Sequence, residues 1–144
     1  MALKIVLDLI YFGVLVIVSL TDLRSKRIPN NIILPAIGLA MVAMFYKPGW
    51  GTALIGAFLG AGFMLLPVVA FGKHGGMGDV KLAFFMGLIL GFPGIVFALI
   101  VAHLSTVVLW IGVLLKRLSR KSIVPFGPFL AFGTAVFLIL PYFL

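Results

Sequence analysis

Largely apolar runs of about 15 to 20 residues recur along the whole of this chain, and no other feature restricts its fold so strongly. Inside a bilayer every backbone N–H and C=O must find its partner within the protein, which leaves helices and closed barrels as spanning structures. Barrel strands would show apolar and polar residues alternating over about ten residues, and no such pattern occurs here. Only 10% of the 144 residues are charged, against roughly 25% in a soluble domain. The expected fold is an all-α integral membrane protein, a bundle of about six transmembrane helices, forming one domain over residues 1–144 with no room for a soluble one.

The charges fall between the apolar runs. Arg24, Lys26, Arg27, Lys73, Lys81, Lys116, Arg117, Arg120 and Lys121 form three clusters, and only Lys4 and Lys47 lie elsewhere. That is the positive-inside pattern, and it also suits an anionic leaflet of the lipid bilayer. The net charge of +8 does not point to nucleic acid, because no basic strip interleaved with aromatics accompanies it. Residues 1–21 read as a spanning helix rather than a cleavable signal: the apolar stretch is long, and most of the positive charge follows it. The chain has no cysteine, which excludes disulfides, thiol catalysis and zinc held by Cys-x-x-Cys pairs.

The segments divide at "TDLRSKRIPNN", where Pro29 ends local helix and Asn30 or Asn31 can cap the next, and at "KPGWG". The third segment, about Thr52 to Phe71, carries Gly56 and Gly60 as a Gly-x-x-x-Gly pair. That face suits packing within the bundle, with a homo-oligomer contact as its other use. The 36 residues from Val80 to Leu115 would make a helix of roughly 54 Å, too long for one crossing of a core about 30 Å thick. "GFPG" at 91–94 is the natural turn. The helix before it is then short, unless it begins earlier or residues 76–79 dip below the membrane surface. A sixth segment begins at about Phe129. The sum is six helices with both termini outside and the three basic loops in the cytoplasm.

The chain has three carboxylates, Asp8, Asp22 and Asp79, and no glutamate. An acid in a membrane helix is expensive and is a functional candidate by default. Asp8 precedes Asp22 by 14 positions, a rise of roughly 21 Å, so the two cannot share a site. Lys4, four residues before Asp8, gives it a structural use. Asp22 and Asp79 both stand at helix ends beside basic clusters, at one membrane depth. Two carboxylates in a partly desolvated place share a proton, so one can act as base on a water while the other donates to a carbonyl. Gly75, Gly76 and Gly78 would then clear side chains from the path of an extended substrate. The plainer reading is that the two acids balance Arg24, Lys26, Lys73 and Lys81.

"GMGDVKL" resembles the Gly-x-Gly-Asp motif of the type IV prepilin peptidases, "DLRSKRIPN" is similar to their first catalytic segment, and "PFGPFLAFG" at 125–133 resembles the entry to their last helix. The resemblance implies an intramembrane aspartic endopeptidase with Asp22 and Asp79 as its catalytic pair. Gly76, Gly78, Lys81, Pro125, Phe126 and Gly127 would stand along the substrate path. It implies prepilin-like membrane proteins as substrates, cut on the cytoplasmic side of the bacterial inner membrane between a short basic leader and the apolar helix after it. Longer relatives carry a cytoplasmic domain with a zinc-binding cysteine tetrad between the first two helices and also N-methylate the trimmed pilin. Here about ten residues join those helices, so no zinc-binding or methyltransferase domain, no metal and no cofactor is expected. In this respect the chain looks like the short peptidases of Flp-type tight-adherence pili.

The other polar residues carry less. His74 reads as a solvated loop residue, and His103 as a polar contact between helices. His103 and Ser105 are two apart and do not face each other on a helix, so they make no nucleophile–base pair. The alternative of another class is a small proton-coupled transporter or channel using the same aspartates as relay groups. Such proteins place their sites near the midplane of repeated halves, whereas both acids here stand at one face and no repeat is visible. A metal-dependent lipid phosphotransferase would need more carboxylates than these two.

Overall fold

The computed structural model describes residues 2–71, 76–115 and 125–142. Its elements are α1 (Ala2–Ser25), α2 (Asn30–Ala43), α3 (Trp50–Phe71), α4 (Met77–Leu114) and α5 (Gly127–Ile139), the last running into a 3₁₀ turn at Leu140–Tyr142. No strand occurs among the described residues. The protein is an all-α, multi-pass membrane protein: α1, α3 and α4 are each long and apolar enough to cross a bilayer, and α2 and α5 are shorter apolar helices. His74, Gly75 and the basic residues Lys73, Lys116, Arg117, Arg120 and Lys121 lie outside the described residues.

α4 is two helices in one. Its 38 residues would reach roughly 57 Å if straight. They do not, because Gly91 takes φ +65° and ψ −176°, and Phe92 is extended. The first conformation is open to glycine and strained for other residues. The second is what a residue before proline prefers, and Pro93 has no N–H to continue the ladder. The chain reverses there. A methyl group on Gly56 would strike the backbone of Gly87 and Gly91, whereas one on Gly60 would strike the Ala83 carbonyl and the Ile95 side chain. Four residues along α3 therefore move back along one limb of α4 and forward along the other. The "GFPG" turn is where the sequence puts it, and the first limb begins earlier than Val80, at Met77. Its 14 residues, 77–90, reach about 21 Å, and the second limb, 93–114, about 33 Å. With the reversal counted, the described residues contain six apolar helical segments.

The first limb of α4 is the centre of the molecule. Leu82, Ala83 and every residue from Phe85 to Gly91 are buried, as expected of a helix apolar on all sides. α4 packs chiefly against α3 and α5. In lipid, association rests on close van der Waals contact and not on expulsion of water, so small residues govern it. A methyl on Gly87 would strike Gly56 and Ala57 of α3, and one on Gly133 would strike the Ala98 carbonyl. The Gly56–Gly60 face is thus used inside the chain.

The start of α2 corrects one expectation. Its N-cap is Pro29, with no side-chain cap bond, so Asn30 already lies in the first turn. Its Oδ1 instead accepts from Lys81 Nζ at 2.8 Å, which ties the start of α2 to the start of α4.

Candidate functional site

Three chain segments meet around Asp22. The carboxylate leaves α1 one turn before its end, where Lys26 takes φ +53° and its N–H bonds the Asp22 carbonyl at 2.8 Å. α5 begins opposite, after Pro125 and Phe126, with Pro128 in its first turn, where a fixed φ suits helix and the missing N–H is no loss. The first N–H groups of a helix have no intrahelical partner and carry partial positive charge. Asp22 supplies one of those partners: Gly127 N–H donates to Asp22 Oδ2 at 3.1 Å. A methyl on Gly127 would collide with that carboxylate. Asp22 is 5% exposed.

Asp79 stands in the first turn of α4, also at a helix N-terminus, and is half-buried. Two contacts bring this turn against the connection after α1 and the start of α2: Gly78 packs on Ile28, where a methyl would lie 3.2 Å from its Cβ, and Lys81 bonds Asn30. The two aspartates are within electrostatic reach of each other. Neither has an ion-pair partner among the described residues, whereas Asp8 pairs with Lys4 at 3.8 Å. Arg24 and Lys26 are exposed, and Lys81 is engaged by Asn30.

Beside Asp79 lies a cavity of about 400 Å³, lined by Met64, Pro67, Val68, Gly76, Asp79, His103 and Phe126. Its walls are apolar and come from α3, both limbs of α4 and the entry to α5. Gly76 lies against Val68, whose side chain a methyl there would strike, so it permits a close approach of α3 as well as lining the cavity. Phe126 lines the cavity while Gly127, the next residue, holds Asp22. Pro125 is half-buried just before them. Asp8 is elsewhere, in a cavity of about 60 Å³ with Lys4, Tyr11 and Lys47.

The type IV leader peptidase family matches residues 9–111. The chain belongs to that family. Among curated proteins it is similar to the prepilin leader peptidase/N-methyltransferase of Bacillus subtilis (strain 168), 32% identical over 130 residues, which are 87% of this chain and 52% of that protein. The protein of the same name from Xanthomonas campestris pv. campestris is 36% identical over 135 residues, 85% of this chain and 46% of the relative. That of Aeromonas salmonicida is 34% identical over 128 residues, 82% and 43% of the two chains. The chain spans about half the length of the curated relatives it matches. No solved structure matches it.

The family match spans Asp22 and Asp79, and it also spans a residue that the sequence reading set aside. His103 bonds its own helix, Nδ1 to the Leu99 carbonyl at 2.7 Å, and its contacts to other segments are with the rings of Phe63 and Phe126. Among the described residues it therefore makes no polar link to another helix. It lines the Asp79 cavity. The signal was available: Asp79 and His103 each lie 12 positions from Gly91, so a reversal there sets both at one depth, roughly 18 Å from the turn. Ser105 and Thr106 bond the carbonyls of Val101 and Ala102 and make no pair with the imidazole.

Proposed function

We propose that this chain is an intramembrane aspartic endopeptidase that removes the short basic leader of type IV prepilin-like proteins, with Asp22 and Asp79 as the catalytic pair. The observation that carries the reading is the meeting of two carboxylates at one end of the bundle. No cation neutralises them among the described residues, and a cavity of about 400 Å³ is lined by Asp79 in a member of the leader peptidase family.

Asp22 Oδ2 accepts a backbone N–H, and hydrogen bonding of this kind favours the charged carboxylate. Asp79 has no such donor among the described residues. Asp22 is accordingly the base and Asp79 the acid. Asp22 takes a proton from a water whose oxygen adds to the scissile carbonyl carbon, while Asp79 gives its proton to the carbonyl oxygen. As the resulting gem-diol collapses, one of its hydroxyls returns a proton to Asp79, Asp22 passes the proton taken from water to the leaving amine nitrogen, and the C–N bond breaks. The positive-inside charge pattern supports a site at the cytoplasmic face, and the membrane proposed is the bacterial inner membrane. Four residues, 26–29, join α1 to α2, so trimming without N-methylation is the activity proposed.

The test is to incubate the purified protein with a prepilin-like substrate in lipid and measure substrate mass. Loss of the leader at a single peptide bond supports the reading. An intact substrate together with proton movement across vesicles by the protein alone would replace it with the relay reading.

A further inference from the structure

Among the described residues that line the site cavity, His103 and Asp79 are the two with polar side chains. A carbonyl oxygen can only accept, so the 2.7 Å contact between His103 Nδ1 and Leu99 O fixes the proton on Nδ1. In the neutral ring Nε2 is then an acceptor, and it has no partner among the described residues. It is not sealed away, since no buried side-chain nitrogen among the described residues lacks a partner. The ring is held edge-on on two sides, by Phe63 at 5.2 Å and 86° and by Phe126 at 5.1 Å and 61°. An imidazole tied by one nitrogen and clamped between two rings presents the other nitrogen in a set direction.

We propose that His103 is a substrate-binding residue of the peptidase: its Nε2 accepts a hydrogen bond from a backbone N–H of the substrate segment lying in the cavity beside Asp79. This rests on the peptidase reading above. The walls built by Met64, Pro67, Val68 and Phe126 receive apolar side chains of that segment, and His103 fixes its register. The occupant is an extended peptide, because its bound backbone must offer a free N–H, and a helix has free N–H groups only in its first turn. Phe126 makes the device continuous with the acids, since it touches the imidazole on one side and precedes the Gly127 amide that holds Asp22.

The experiment compares His103→Phe, which keeps a ring between Phe63 and Phe126 but removes the acceptor, with His103→Gln, which places an amide oxygen near the Nε2 position. Binding of a fluorescent prepilin-like peptide is measured in an Asp22→Asn background, so that no turnover is needed, and KM and kcat are measured in the parent background. His103→Phe should raise Kd and KM about five- to tenfold, the worth of one hydrogen bond, with kcat changed less than about twofold. His103→Gln should recover most of that loss. Unchanged Kd in His103→Phe, or a loss confined to kcat that His103→Gln does not recover, would overturn the proposal. Absence of cleavage by the parent would count against the peptidase reading instead, and the binding comparison would still decide the role of His103.

Discussion

The two ends of α1 carry the same chemical group and treat it differently. At the Asp8 end the carboxylate has Lys4 one turn away at 3.8 Å, with Lys47 and Tyr11 around the same small cavity. Burial, and then the neighbouring Lys4, hold the Lys47 ammonium below the usual lysine range. Cations outnumber the acid there. At the Asp22 end neither acid has an ion-pair partner among the described residues. Asp22 is met by a backbone N–H, Asp79 lines an apolar cavity, and Lys81, two residues after Asp79, is turned to Asn30. An acid answered by lysine at i−4 stabilises a helix end. Two acids within electrostatic reach of each other, one of them lining a cavity, come at a cost in stability, which fits the proton-transfer role proposed for them.

The comparison breaks most sharply at Gly127. In Gly127→Ala the added methyl lands on the Asp22 carboxylate, and a displacement of about 1 Å in a site of this kind can cost roughly 10²-fold in rate. Cleavage by that variant should fall by about that factor, while far-ultraviolet circular dichroism stays that of the parent. The scaffold shared by both ends breaks at Gly87, whose methyl would meet the backbone of Gly56 and Ala57. Gly87→Ala should lose about 1–3 kcal/mol of stability, read as a lower unfolding midpoint in detergent, with loss of activity only where folded protein is lost. Removing the strut between α2 and α4 is milder. Lys81→Met should cost about 0.5–1 kcal/mol by loss of its bond to Asn30, with KM and kcat each changed by less than about threefold. The smallest effect is expected at the other end: Lys4→Met should alter stability by less than about 1 kcal/mol and leave the cleavage rate of the folded protein unchanged.

Much of this was legible in the sequence because membrane helices announce themselves by length and apolarity. The turn at "GFPG" follows from a helix too long for one crossing, and its glycine and proline supply the conformations that the reversal uses. The Gly56–Gly60 face follows from small residues one turn apart. The two aspartates stand out because three acids leave few alternatives. Asn30 was misread because a cap depends on a helix boundary fixed to a single residue. Pro29 takes the cap position and leaves the carboxamide for Lys81. His103 was set aside because it was weighed against Ser105 along one helix and not against Asp79 across the reversal. The cavity itself had no signal, since Met64, Pro67 and Val68 look like any lipid-facing residues until α3 lies over α4. The donor to Asp22 was hidden for a related reason: a backbone N–H has no letter of its own.

The most direct test is the mass of a prepilin-like substrate after incubation with the parent protein and with Asp8→Asn, Asp22→Asn and Asp79→Asn, each shown to be folded. The account predicts leader removal by the parent and by Asp8→Asn, and an intact substrate with the other two. Cleavage that survives in either Asp22→Asn or Asp79→Asn would contradict the two-aspartate mechanism.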